Sequence, residues 1–215
     1  KAINIATQSL KKNVLAICDD DLIEEVTALV EMPNILIGEF ESKYLDVPQE
    51  CLILTMKSNQ KYFPIIDSDN KLTNQFLIVS NLTPVNPKLI IEGNEKVIRP
   101  RLADAEFFFK QDKKSTLIEM SHKLDKIIYH NKLGSQSDRA KRVARIHEYI
   151  YKEQAIGDFK DFDRIALLAK ADLVSLMVGE FPELQGIMGR YYALNSNENK
   201  SIADAIEDHY KPKFS

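Results

Sequence analysis

Strand-like runs are confined to one end of the chain, and they stop at a pair of prolines. Up to residue 80 the apolar residues gather in short β-branched and aromatic runs: Ile35-Leu36-Ile37-Gly38, Lys61-Tyr62-Phe63-Pro64-Ile65-Ile66 and Gln75-Phe76-Leu77-Ile78-Val79-Ser80. After Pro84 and Pro87 such runs disappear, and apolar residues return at three-to-four spacing. Strands collected at one end and helices at the other do not build an alternating, parallel-sheet fold. They predict an α+β N-terminal module, residues 1–86, then a junction helix over 87–112 and an all-α helical domain over 113–215.

Within the module, Asp19-Asp20-Asp21 opens a helix, because acids at a helix start accept from orphan amides and suit the dipole. Leu22, Val26, Leu29 and Val30 make its apolar stripe. The triplet lacks the glycine and the distant glutamate of a calcium loop, so it reads as a cap. Pro33 ends that helix, and Pro48-Gln49-Glu50 starts a second. The polar turn Asp67-Ser68-Asp69-Asn70 joins two β-rich runs into a hairpin. The first dozen residues have no clear period and read as a strand or the tail of a preceding element. At the junction, Pro100 suits a first helical turn, which would start a helix at Arg101. Phe107, Phe108 and Phe109 are expected to pin the two domains together, burying on the order of 150–250 Å² per ring.

In the helical half, Leu117, Leu124, Ile127 and Ile128 predict a helix over 117–128. Leu133-Gly134-Ser135 reads as a stop and Ser137-Asp138 as the next cap. The helix over 139–154 is expected to bury Val143, Ile146, Ile150 and Tyr149, and Gly157 to end it. Residues 165–178 read as one long apolar helix central to the domain. A break at Pro182 and two short helices, 187–194 and 201–210, complete the chain.

Charge narrows the function classes. The 215 residues are 44% apolar, enough for a sizeable core, and carry a formal net charge of −3. No global basic field marks a nucleic-acid binder, so any such contact is a local patch. Two stretches offer one: Lys57 and Lys61 beside Asn59, Gln60, Tyr62 and Phe63, and the trio Lys96, Arg99 and Arg101 beside three phenylalanine rings. Packed surfaces with solvated charges account for both stretches equally well. Cys18 and Cys51 read as buried free thiols of a reducing compartment. No apolar run is long enough to span a membrane and no signal-peptide layout opens the chain, so a cytoplasmic location is expected. The start at Lys1 without Met reads as an internal piece of a longer chain. His122, His130, His147 and His209 are scattered, and Gly186-Ile187-Met188-Gly189 lacks the Lys-Ser/Thr ending of a phosphate loop.

Taken in order, Glu31-Met32-Pro33, Thr55-Met56-Lys57-Ser58-Asn59-Gln60-Lys61-Tyr62-Phe63, residues 93–112, Lys170-Ala171-Asp172-Leu173 and residues 177–189 resemble the β subunit of bacterial heterotetrameric glycyl-tRNA synthetase. The resemblance runs from about residue 31 to residue 212. It implies an α2β2 assembly whose α subunit holds ATP, Mg and glycine, while β contributes recognition of tRNA(Gly). No cofactor and no catalytic residue are expected in this piece, which would not aminoacylate alone.

The helical half also resembles an HD-type phosphohydrolase domain. On that resemblance Arg139 stands where a metal-binding His is needed, and Ala171-Asp172 stands where a His-Asp doublet is needed. Arginine does not deprotonate to ligate a metal and alanine has no donor atom, which leaves Asp172 alone. The expectation is a degenerate HD scaffold without metal, serving tRNA positioning and subunit assembly. Two alternatives remain open at this point: an HD-type metal-dependent phosphohydrolase, and a structural interaction module without RNA contact.

Overall fold

The computed structural model describes residues 14–154 and 159–212. The chain divides after Phe107 into two compact units. The expectations for the first dozen residues and for Gly157 lie outside the described residues.

The first unit is built on a four-stranded antiparallel sheet in the order β1-β3-β4-β2, with β1 at Val14–Ala16, β2 at Asn34–Glu39, β3 at Phe63–Asp67 and β4 at Leu72–Ser80. The β3–β4 hairpin turns through Asp67, whose carboxylate accepts from the Asp69 and Lys71 amides at 2.9 Å each. Between Pro64 and Ile66 the register slips, as a residue without an N–H in a ladder requires. Helix α1, Asp20–Leu29, places Leu22 and Val26 against Phe63, Ile65 and Leu77. Asp19 caps it, accepting from Leu22 N at 2.8 Å. Only half of the expected stripe is buried, since Leu29 is 65% exposed at the helix end.

A second aromatic cluster lies around Phe76, whose ring is 4.7 Å from Tyr62 and 6.4 Å from Phe40. Gly38 sits opposite Phe76 in the β2–β4 register, and a Cβ there would come within 2.6 Å of the ring. A side chain at that position would have to displace the Phe76 ring. Helix α2, Gln49–Gln60, buries Cys51, Leu52, Thr55 and Met56. Of the two thiols only Cys51 is buried; Cys18 is exposed, two residues beyond the short strand β1, which corrects the expectation for it.

Helix α3 runs unbroken over Pro87–Asp112, with Pro100 in its interior instead of at a start. Pro100 is exposed, so the carbonyl that loses its helical donor faces water, and the helix absorbs the proline at tolerable cost. The N-terminal half of α3 is tied to the first unit. Tyr62 OH donates to Asn94 Oδ1 at 2.6 Å, Glu95 Oε1 accepts from Glu39 N at 2.9 Å, and Ile98 and Leu102 are fully buried. Phe107 is 54% exposed and does not serve as the buried anchor expected of it.

Among its described residues the second unit is helical apart from a two-stranded hairpin, which corrects the all-α expectation. Helix α4, Leu117–His122, starts in a capping box in which Thr116 Oγ1 accepts from Glu119 N and Glu119 accepts from Thr116 N at 2.8 Å. It stops early: a 3₁₀ turn at Lys123–Lys126 follows, then β5 at Ile128–His130 pairs with β6 at Gly134–Ser135. The β-branched and aromatic pair Ile128-Tyr129 and the positive φ of Gly134 at 83° favour the hairpin over a continued helix. The next cap lies two residues earlier than expected: Ser135 Oγ accepts from Asp138 N, and Asp138 Oδ2 accepts from Ser135 N at 3.0 Å. Helix α5, Gln136–Gln154, buries none of its residues; Val143, Ile146, Tyr149 and Ile150 are 44–67% exposed, contrary to expectation.

The apolar run over 165–178 is three pieces instead of one helix: α6 at Phe159–Leu168, a 3₁₀ turn at Ala171–Val174, and α7 at Leu176–Glu180. Ser175 breaks it by capping α7 through Val178 N at 3.1 Å. A 3₁₀ turn at Pro182–Leu184 leads to α8, Ile187–Asn195, and α9, Lys200–Asp208. Helix α5 packs on α6, and α9 packs on both α6 and α8.

Candidate functional site

Three of the five candidate cations of the first unit, Lys57, Lys61 and Arg99, are answered by carboxylates. Lys61 ends α2 in a left-handed conformation, φ 56°, which turns the chain into β3 and leaves Lys57 and Lys61 beside α1. Lys57 forms an ion pair with Asp19, and Lys61 pairs with Glu25 at 2.9 Å. Partial burial would raise the Asp19 carboxyl, but the bonds from Lys57 and the Leu22 amide outweigh it and hold the group below its ordinary value. Arg99 Nε donates to Glu41 Oε1 at 2.5 Å. Lys96 and Arg101 are exposed and, among the described residues, form no ion pair. Five positions on a helix turn about 140°, so these two leave α3 on different sides and do not make one patch. Gln60, Lys61, Tyr62 and Asn94 line a cleft of about 230 Å³. In it the Tyr62 hydroxyl, pushed up to about 12 by burial, serves as a donor to Asn94 and not as an acid.

The second unit also pairs cations at its surface, Arg164 with Glu198 and Arg190 with Asp204, and adds two buried carboxylates that serve backbone amides. Asp172 is fully buried, and its Oδ2 accepts from Gly186 N at 2.6 Å and Gly189 N at 3.1 Å, while Oδ1 has no partner. Gly186 holds φ at 82°, and a Cβ on Gly189 would come within 2.6 Å of Ile206 and 3.1 Å of the Asp172 carboxylate. The Gly186-Ile187-Met188-Gly189 spacing thus brings the first turn of α8 onto an internal carboxylate, the place an external anion takes in a phosphate loop. Burial pushes the Asp172 carboxyl up to about 6 despite the two amides. Ala171, beside it, is buried and contributes no polar atom. Among the described residues no three His, Cys, Asp or Glu side chains come together in a way that could hold a metal ion.

A second carboxylate of this kind was not legible in the sequence. Asp112, at the end of α3, is 6% exposed and accepts from Leu176 N at 2.8 Å, Met177 N at 3.0 Å and Tyr192 OH at 2.7 Å. It organises the start of α7 much as Asp172 organises the start of α8. Phe109 stacks on the same Tyr192, with centroids 6.2 Å apart.

Arg139, the third residue of the degenerate set, lies 4.8 Å over the Tyr129 ring and lines a slot between α5 and α6. Lys170, from the end of α6, lies 3.5 Å over the Tyr210 ring and closes the same end. Burial and the nearby Arg139 charge push the Lys170 ammonium down to about 8. His209 joins them from α9; partial burial and the Lys170 charge hold its imidazole well below the usual value. His147 lies on the slot wall two turns along α5 from Arg139, stacked on Phe162. Spacing in sequence gave no sign that residues 139, 170 and 209 share one end of a slot, since they come from three different elements.

The comparisons with known proteins cover this whole chain. A family model described as glycyl-tRNA synthetase beta subunit matches residues 1–215. The glycine–tRNA ligase beta subunit of Delftia acidovorans is 56% identical over 217 residues, covering 100% of this chain and 30% of its own length. Those of a Janthinobacterium species and of Methylobacillus flagellatus are each 59% identical, over 202 and 200 residues, covering 94% and 92% of this chain and 29% and 28% of their own lengths. The chain therefore spans under a third of the length of these curated relatives. With the match running from end to end at this identity, the chain belongs to the glycyl-tRNA synthetase beta subunit family.

Proposed function

We propose that this chain is a non-catalytic part of a glycyl-tRNA synthetase β subunit, supporting ATP-dependent attachment of glycine to tRNA(Gly) through tRNA positioning and subunit assembly. The observation that carries this reading is identity of 56% along the entire chain to a protein named as a glycine–tRNA ligase beta subunit. In this reading ATP and Mg belong to an α subunit, the assembly is α2β2, and the complex works in the cytoplasm. The helical unit is a degenerate HD-type scaffold. Its Asp172 is engaged by the Gly186 and Gly189 amides, its Ala171 has no ligand atom, and its Arg139 is a permanent cation, a donor set that suits no divalent metal.

Lys96 and Arg101, exposed and without ion pairs among the described residues, are the better candidates for phosphate contact. Lys57, Lys61 and Arg99 would first have to surrender a carboxylate. The test uses full-length β subunit assembled with α, carrying Lys96→Ala and Arg101→Ala together. Weaker tRNA(Gly) binding with a shallower salt dependence, at unchanged thermal stability, is the expected result. Unchanged affinity and unchanged salt slope would remove these two residues from the RNA interface.

A further inference from the structure

The slot between α5 and α6 has a volume of about 250 Å³, and its two long walls are apolar: Ala140 and Val143 from α5, Ile165 and Ala166 from α6. Arg139 and Lys170 stand at one end. Eight residues separate Arg139 from His147 along α5, which at 1.5 Å per residue makes the slot about 12 Å long.

Three features point to what would fill it. Neither Arg139 nor Lys170 forms an ion pair among the described residues; each only covers an aromatic ring. Asp172, the carboxylate whose field reaches Lys170, is fully buried and engaged by two backbone amides, so it is not turned over to the cations. Lys170 is pushed down to about 8 by burial and by the Arg139 charge beside it, a repulsion that an anion between the two would relieve.

We propose that this slot binds a small organic anion, its phosphate or carboxylate held between Arg139 and Lys170 and its compact apolar body lying along Ala140, Val143, Ile165 and Ala166 toward His147. A guanidinium and an ammonium lining the same slot suit an oxyanion, and the apolar walls reject a fully hydrated ion. The site involves no metal and no bond-making step.

Phenyl phosphate, benzoate, inorganic phosphate and phenol, titrated calorimetrically into the full-length β subunit in its complex, test this directly. At least one of the two aromatic anions is expected to bind saturably, at least tenfold more tightly than inorganic phosphate or phenol. Whichever of phenyl phosphate and benzoate binds more tightly identifies the head group. Lys170→Met, which keeps the stem and removes the charge, should weaken binding tenfold or more, and Ala140→Leu, which fills the slot, should abolish it; thermal melting of both variants checks that they fold. The proposal is overturned if neither aromatic anion binds, if inorganic phosphate binds as well as both, or if folded Lys170→Met and folded Ala140→Leu each bind like the parent. Glycylation by the complex is a separate readout, so failure here leaves the family's role untouched.

Discussion

The two units put their carboxylates to different uses. In the first, lysine and arginine at the ends of α2 and along α3 meet carboxylates at the surface: Asp19, Glu25 and Glu41. In the second, surface pairs such as Arg190 with Asp204 also occur, but Asp112 and Asp172 are buried and serve backbone amides, while Arg139 and Lys170 line a slot. Surface pairs gain little because water already solvates both partners. A buried carboxylate with several donors fixes backbone geometry, and removing it strands each of those donors. The first arrangement decorates a fold that its sheet and core already determine. The second is part of what determines the fold.

The largest effect expected from this contrast is at Asp112. Asp112→Ala leaves the Leu176 and Met177 amides and the Tyr192 hydroxyl without an acceptor, at about 1–3 kcal/mol for each group that water cannot reach. A loss of about 3–5 kcal/mol in urea denaturation is expected, with melting of the second unit. A loss under about 1 kcal/mol would mean that α7 holds its start by other means and would erase the contrast.

Asp172 supplies a test with a pH signature. Its folded value, raised by burial to about 6, lies above the ordinary carboxylate range, so the folded chain binds the proton more tightly than the unfolded chain. Stability from this group is therefore fully present below about pH 4 and is lost as pH rises through about 6. Asp172→Asn keeps an acceptor for Gly186 and Gly189 but cannot ionise. Its stability relative to the parent should improve on going from pH 4 to pH 7, by on the order of 2 kcal/mol. His209, held below its usual value, works in the opposite direction over much of the same range, but it is common to both proteins and cancels in the difference. A difference independent of pH would show that Asp172 is not buried as an acid.

Much of the fold was legible from local signals. Asp19 as a cap, the Asp67–Asn70 turn and the short helix after Gly186 each follow from a residue acting on its neighbours, and each stands where expected, whereas α1 ends at Leu29, four residues short of Pro33. What the sequence concealed depends on long-range partners. The 165–178 run reads as one helix because its apolar content is continuous. Asp172 and Ser175 divide it, through hydrogen bonds with residues 186 and 189 in the one case and a new cap in the other. Helix α5 carries apolar residues at helical spacing, yet no periodicity tells a buried face from an exposed one. Its Val143 lines a slot and its Tyr149 faces outward. The candidate site divides in the same way. Residue type alone marked Lys96 and Arg101, whereas the meeting of Arg139, Lys170 and His209 required the packing of three elements.

The smallest effect sharpens the contrast from the other side. Glu41 is 42% exposed and Arg99 48%, so their 2.5 Å contact competes with water on both partners. Arg99→Ala is expected to cost no more than about 1 kcal/mol in chemical denaturation, and that cost should shrink further in molar salt, where the screening length falls to about 3 Å. The double variant Arg99→Ala/Glu41→Ala isolates the pair: a coupling energy under about 0.5 kcal/mol is the expected outcome. A coupling above about 2 kcal/mol would place this pair with Asp112 and Asp172 among the contacts that fix the fold. It would also withdraw Arg99 from any role at an RNA surface, because an arginine so firmly held does not exchange its carboxylate for a phosphate.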